Sequence, residues 1–126
     1  MKYVAYLFFA ASFAACVTPP EEPGTIFKIT TAALWAQSQA DSSRRLILAA
    51  QDKDFIHFAE KADVERIAKK FFKQEEDVIV LEVDSKKLVG RLVKEKNPGG
   101  QKEYFHLYDG WIPMDAIVSA QPFTQW

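Results

Sequence analysis

The sequence predicts an α+β domain, a small mixed or antiparallel split β-sheet with two main helices, and three observations carry that expectation. Val64, Ile67, Ala68, Phe71 and Phe72 recur at i, i+3, i+4, i+7 and i+8, the spacing of one helix face. Val78-Ile79-Val80-Leu81-Glu82-Val83 is almost continuously apolar and rich in β-branched residues, as befits a central strand covered on both faces. Short apolar runs separated by turn-forming residues fill the remaining length, so helices and strands are mixed along the chain.

Each element has a local reason. Ile26 to Thr30 alternates apolar and polar residues, and Thr30 or Thr31 can cap a helix through Ala32-Ala33-Leu34-Trp35-Ala36 that the Asp41-Ser42-Ser43 cluster ends. Leu46 to Ala50 and Phe55 to Phe58 are short apolar runs joined by a polar turn, Gln51-Asp52-Lys53-Asp54. After the amphipathic helix and the central strand, Ser85 to Val89 reads as a short helical turn and Arg91 to Lys96 as a strand with one wetted face. Asn97-Pro98-Gly99-Gly100 is a loop, Tyr104 to Tyr108 a strand, Pro113 to Ala116 a brief helix, and Ile117 to Phe123 closes the sheet.

The 126 residues suit one compact domain and exclude a large multidomain enzyme. Sixteen basic and seventeen acidic side chains leave a formal charge of -1, without the basic footprint of a dedicated nucleic-acid binder. An aromatic content of 13% supplies enough surface to bury that intrinsic disorder is not expected.

The first residues carry an address. Lys2 precedes an uncharged, almost wholly apolar run from Tyr3 to Ala15, the pattern of a secretory signal. As a helix that run spans roughly 20 Å, short of the roughly 30 Å hydrocarbon core, so a permanent transmembrane helix is disfavoured. Phe13-Ala14-Ala15-Cys16 resembles the bacterial lipobox, with Phe13 where an aliphatic residue is usual. The alternative is an ordinary signal cleaved after Ala14, with Ser12 and Ala14 as the small residues. Cys16 is the only cysteine, so no internal disulfide can form, and the Thr18-Pro19-Pro20-Glu21-Glu22-Pro23-Gly24 stretch after it reads as an extended tether. The expected division is a signal at 1–15, a lipidated tether at 16–25 and one α+β domain at 26–123. Lipid on Cys16 makes the membrane a partner. Val17 in place of the inner-membrane retention Asp points to an outer-membrane lipoprotein facing the periplasm, with a periplasmic or secreted protein as the alternative.

Both histidines lie inside hydrophobic strands of similar context, Phe55-Ile56-His57-Phe58 and Tyr104-Phe105-His106-Leu107-Tyr108. Strand alternation puts Phe55 with His57 on one face, and Tyr104, His106 and Tyr108 together on another. If the strands meet across a cleft, the imidazoles can polarise a ligand or exchange protons. The structural alternative is that each is a hydrogen-bonded core or rim residue. Two histidines make no metal site without an added acid such as Glu95 or Asp109, and neither HExxH nor CxxC spacing occurs, so no metal is expected. A Ser42–His57–acid triad lacks its Gly-x-Ser-x-Gly elbow. Lys86, Lys87, Arg91, Lys94, Lys96 and Lys102 against Glu95 alone form either a solvated surface or an attractor for a phosphorylated ligand or anionic membrane. No GxGxxG or Walker loop accompanies them.

From Ile26 to Phe123 the chain resembles the small bacterial family called domain of unknown function 952. Ile26-Phe27-Lys28-Ile29 with Trp35 resembles its Ile-Tyr-Lys-Ile opening, and Phe55-Ile56-His57-Phe58-Ala59 its Gly-Phe-Ile-His-Leu-Ser motif, with Asp54, Phe58 and Ala59 as departures. Leu81-Glu82-Val83-Asp84, Lys94-Glu95 and Tyr104-Phe105-His106-Leu107-Tyr108 resemble later landmarks, with Phe105 replacing a proline and Asp109 inserted before Gly110. Such families are grouped with ADP-ribosyltransferase-like folds, so the resemblance implies a split sheet cradling NAD as cofactor. It implies that His57 and His106 line the nucleotide cleft and that Glu95 orients ribose, the three forming the catalytic set. Tyr108 would stack or hydrogen-bond, with Lys28 and Phe55 of the matched motifs as further ligand contacts.

Three functions follow as expectations. The first is an exported domain binding a small ligand, a nucleotide or NAD-like molecule, in a cleft with two histidines. The second is an NAD-dependent ADP-ribosyl or phosphoryl transferase. The third is a non-catalytic envelope protein that contacts a partner through an aromatic surface including Trp111 and Trp126.

Overall fold

The computed structural model describes residues 24–126. The expected signal, the lipidation of Cys16 and nearly all of the tether lie outside the described residues. Within them the chain is α+β, with six strands and two α-helices. Strands β1 (Thr25–Thr31), β3 (Val78–Asp84) and β6 (Ile117–Pro122) form one three-stranded sheet in the order β1-β3-β6. The second sheet has the order β2-β5-β4, from Ile56–His57, Glu103–Trp111 and Val89–Lys96. All pairings are antiparallel.

The apolar continuity of β3 has the expected cause, burial on both faces at the centre of its sheet. Leu81 and Val83 enter the larger core with Ile26 of β1, Ile56 of β2 and Leu107 of β5, so this core joins the two sheets. Val78 and Val80 face the other way and pack with Ile29, Phe123 and the Ala68 side of helix α2 (Val64–Phe71). Deleting a large aliphatic side chain such as Leu81 from the fully buried core should cost about 2–5 kcal/mol. The sheets also touch through backbone, since Phe27 and Ala59 exchange two N–H···O bonds of 2.8 Å.

Helix α1 (Ala32–Ala40) starts where Thr31 Oγ1 accepts the Leu34 N–H at 3.2 Å, which selects Thr31 over Thr30 as cap. It ends at Asp41, whose carboxylate accepts the Ser43 N–H in an Asx turn. The apolar run Leu46 to Ala50 is not a strand. Leu46 N–H donates to the Ile112 carbonyl within the isolated Arg45–Pro113 bridge and Ile47 N–H to the buried hydroxyl of Ser38, so pairing stops after one bridge. Phe71 also departs from the helical pattern and is 64% exposed, because the chain leaves α2 at Phe72 and that second ring packs inward in its place.

Close contact between β4 and β5 depends on glycine. A Cβ on Gly110 would lie 1.7 Å from the Val89 carbonyl oxygen, which no side-chain movement relieves, and Gly90 has φ +127° at the register shift opposite.

Candidate functional site

The register of β2 on β5 decides the site. His57 pairs directly with His106, so two imidazoles 49 positions apart in sequence stand on one face of the sheet, ring centroids 5.4 Å apart and nearly edge to face. Phe55, in the bend before β2, lies over them with its centroid 4.2 Å from His106, 4.7 Å from His57 and 5.3 Å from Tyr108.

Each imidazole has its own carboxylate. Asp52 Oδ1 accepts from His57 Nδ1 at 2.9 Å and from the His57 backbone N–H at 3.0 Å. Glu95 Oε1 accepts from His106 Nδ1 at 2.9 Å and from the Tyr108 hydroxyl. A carboxylate on Nδ1 holds the proton there and leaves the Nε2 lone pair as the reactive end. Nε2 of His106 is buried and has no partner among the described residues, and His106 as a whole is 0% exposed. His57 keeps 39% of its side chain accessible.

His57 and Lys28 together keep Asp52 ionised. Strand alternation puts Lys28 on the core side of β1 with Ile26, facing Leu81 in the register, so its stem is buried and its ammonium needs a partner. Lys28 Nζ meets Asp52 Oδ2 at 2.8 Å and donates to the His57 carbonyl at 2.9 Å. Burial pushes the Lys28 ammonium below its usual pKa, against the pull of Asp52. Burial alone would raise Asp52, but the His57 hydrogen bond and the Lys28 charge outweigh it and hold the carboxyl below its ordinary value. At the second pair, the Tyr108 hydroxyl and then His106 lower Glu95, while Tyr108 is raised by the same bond.

A cleft of about 910 Å³ opens beside His57, between β1, the cationic side of α2 and the loop at 97–102. Lys28, Asp52 and His57 line it; Phe55, Glu95, His106 and Tyr108 do not, although the Phe55 ring packs on His106 with centroids 4.2 Å apart. All six ligand and catalytic candidates therefore fall into one connected cluster, with His57 and Lys28 at the cleft wall. Sequence reasoning assigned Asp52 to a turn; the only signal was its place five residues before His57. It also missed Asp63 and Arg66. Arg66 Nη2 donates to Tyr104 Oη at 2.6 Å and to Asp63 Oδ1 at 3.3 Å, and Lys102 Nζ donates to the same Asp63 oxygen at 2.6 Å. The Lys102 hydrogen bond and then that of Arg66 outweigh burial in lowering Asp63, and the Tyr104 hydroxyl leads in raising Arg66.

The basic run of the sequence is not one patch. Of its six cations only Lys102 lines this cleft; Lys94 pairs with Glu60 at 3.0 Å and Arg91 lies over the Tyr108 ring. Trp111 is covered by the Arg45 guanidinium, 3.6 Å from its ring, and Trp126 packs edge-on against Phe123. Among the described residues no group of three or more His, Cys, Asp and Glu is arranged to hold a metal, and no helix is long and apolar enough to cross a membrane.

The family described as protein of unknown function (DUF952) matches residues 29–120, which include both histidine–carboxylate pairs. The chain belongs to that family. The DUF952 domain is similar to the crystal structure of protein CC0527 from Caulobacter crescentus, with 24% identity, a TM-score of 0.67, and 79% of this chain and 86% of that chain covered. The solution structure of CC0527 gives 24% identity and a TM-score of 0.59 over 77% of this chain and 82% of the other. At that identity the likeness establishes a shared fold for this DUF952 domain. No curated protein matches the chain.

Proposed function

We propose that this DUF952 domain binds a small ligand, a nucleotide or NAD-like molecule, in the cleft beside His57. The observation that carries the reading is one imidazole, oriented through Nδ1 by a buried carboxylate, at the wall of a cleft sized for a small molecule. His57 Nε2 is then the acceptor or base offered to the ligand, and His106, bonded to Glu95 and packed against Phe55, does not line the cleft. The ADP-ribosyltransferase-like relationship belongs to this proposal and makes NAD one probe among several.

The test is the thermal midpoint of the full chain with and without NAD, nucleotides and sugars. A ligand at about 100 times its dissociation constant should add roughly 2.7 kcal/mol of stability. The shift should vanish in His57→Ala while that variant's own midpoint stays close to wild type. No shift with any probe would overturn the reading and favour a non-catalytic protein that binds a partner.

A second reading, NAD-dependent ADP-ribosyl or phosphoryl transfer, draws on the His57–Asp52 pair at the cleft wall, since an oriented imidazole suits proton transfer. Nicotinamide release from NAD in wild type and not in His57→Ala would support it; intact NAD after prolonged incubation would overturn it. We further propose that the domain is exported and anchored by lipid on Cys16 to the outer membrane. Labelled fatty acid should enter wild type and not Cys16→Ser, and equal labelling would refute the anchor. A periplasmic domain meets little NAD, which directs the screen toward other ligands as well.

A further inference from the structure

The charges lining the cleft differ from those of the chain as a whole. Lys28, Arg66, Lys70 and Lys102 line it against a single acid, Asp52, while the full sequence carries a formal charge of -1. Lys28 and Asp52 neutralise one another, so Arg66, Lys70 and Lys102 remain as excess cations at one end of the cleft. Counting the nearby Asp63 still leaves the cations in the majority.

Asp63 organises these cations more than it consumes them. Its carboxylate is largely buried and its Oδ1 draws both Arg66, from α2, and Lys102, from the loop before β5, to one point, although both side chains remain half exposed. Arg66 uses only Nη2 in its described hydrogen bonds, and Lys102 uses one donor of three. The Tyr104 ring flanks both, 5.9 Å from the Arg66 guanidinium carbon and 5.9 Å from Lys102 Nζ. Pre-positioned cations with unused donors suit a phosphoryl group, which a guanidinium can bind through two parallel hydrogen bonds. The exposed ring of Phe71 lines the same cleft and offers an apolar surface to the rest of such a ligand.

We infer that Arg66 and Lys102, aligned by Asp63 and assisted by Lys70, form a subsite for the phosphoryl group of a small phosphorylated ligand. This rests on the cleft reading above and adds the chemical class of the ligand. The same chemistry is found on soluble nucleotides or sugar phosphates and on lipid headgroups.

The test is calorimetric titration of the full chain with adenosine 5′-monophosphate, adenosine and inorganic phosphate, beside a binding assay with phosphatidylglycerol vesicles. The monophosphate should bind at least about tenfold more tightly than adenosine, and Arg66→Gln and Lys102→Gln should each remove most of that advantage, about 1.4 kcal/mol per factor of ten. Lys86→Gln, at a residue that does not line the cleft, should change nothing. Melting midpoints identify any variant that fails to fold, and Arg66→Lys keeps the charge if Arg66→Gln does. Vesicle binding that needs Arg66 would place the phosphoryl group on a lipid and support the subsite. Equal affinity for monophosphate and adenosine, failure of every phosphorylated probe to bind, or indifference to both substitutions would overturn it. Monophosphate binding that needs Arg66 but ignores His57→Ala keeps the subsite and rejects the role given to His57; dependence on His57 alone does the reverse.

Discussion

The two histidine–carboxylate pairs use the same atoms at the same 2.9 Å separation in opposite surroundings. At His57 the imidazole is wet and the acid is sealed, with Asp52 only 1% exposed; at His106 the imidazole is sealed and Glu95 is 36% exposed. Burying the acid requires a buried cation to neutralise it, and Lys28 fills that need. At the second pair the imidazole packs under Phe55 while its acid meets water. The first pair sets an accessible imidazole at the cleft wall; the second holds its imidazole out of solvent.

Breaking each pair should show that asymmetry, and the largest effect falls on the sealed acid. Asp52→Ala strands the Lys28 ammonium in the core and should cost about 3–5 kcal/mol in denaturant unfolding, most of it recovered when Lys28→Met is added. A cost no larger than that of an average surface substitution would mean that Lys28 finds water. Next comes the sealed ring. His106→Ala should cost about 3 kcal/mol through the cavity it leaves, while His57→Ala, at a half-exposed ring, should cost less than about 1 kcal/mol.

Acid sharpens the contrast further. The folded pKa of Asp52 is lowered, so its contribution is fully present above the unfolded value near 3.9 and is lost as pH falls through the lower folded value. Thermal midpoints of wild type should therefore drop below about pH 4, with a shallower drop in Asp52→Asn. The smallest effect on stability, and the most specific, concerns Phe55. Phe55→Leu should raise the rate of His106 modification by diethylpyrocarbonate on the order of tenfold, by opening local access, and change the already accessible His57 much less. Equal rates at His106 in both proteins would show that the aromatic ring is not what shields it.

Much of the fold was legible because its signals are local. The helical spacing from Val64, the β-branched run of β3 and the Asn97-Pro98-Gly99-Gly100 loop all appear where the residues place them. Two apolar segments were less legible, for one reason. Leu46 to Ala50 reads only as an apolar run and Phe71 as part of a buried helix face, because apolar character alone does not say which backbone or face the tertiary contacts will claim. Of the candidate site, Glu95, Lys28 and Phe55 were named through the family resemblance, while His57, His106 and Tyr108 stood out by type and context. Asp52, Asp63 and Arg66 did not, since a charged residue in a turn or on a helix reads as solvated until its partners are known.

By itself the sequence determined the α+β class, the order of elements and the alternation that puts Phe55 with His57 and His106 with Tyr108, because these follow from backbone periodicity. Only the tertiary structure decided that β2 pairs with β5 in the register that sets His57 opposite His106, which imidazole is sealed, and which cations reach the cleft. Those outcomes depend on packing between segments distant in sequence, where a shift of one residue in register would turn every side chain of the strand to its other face.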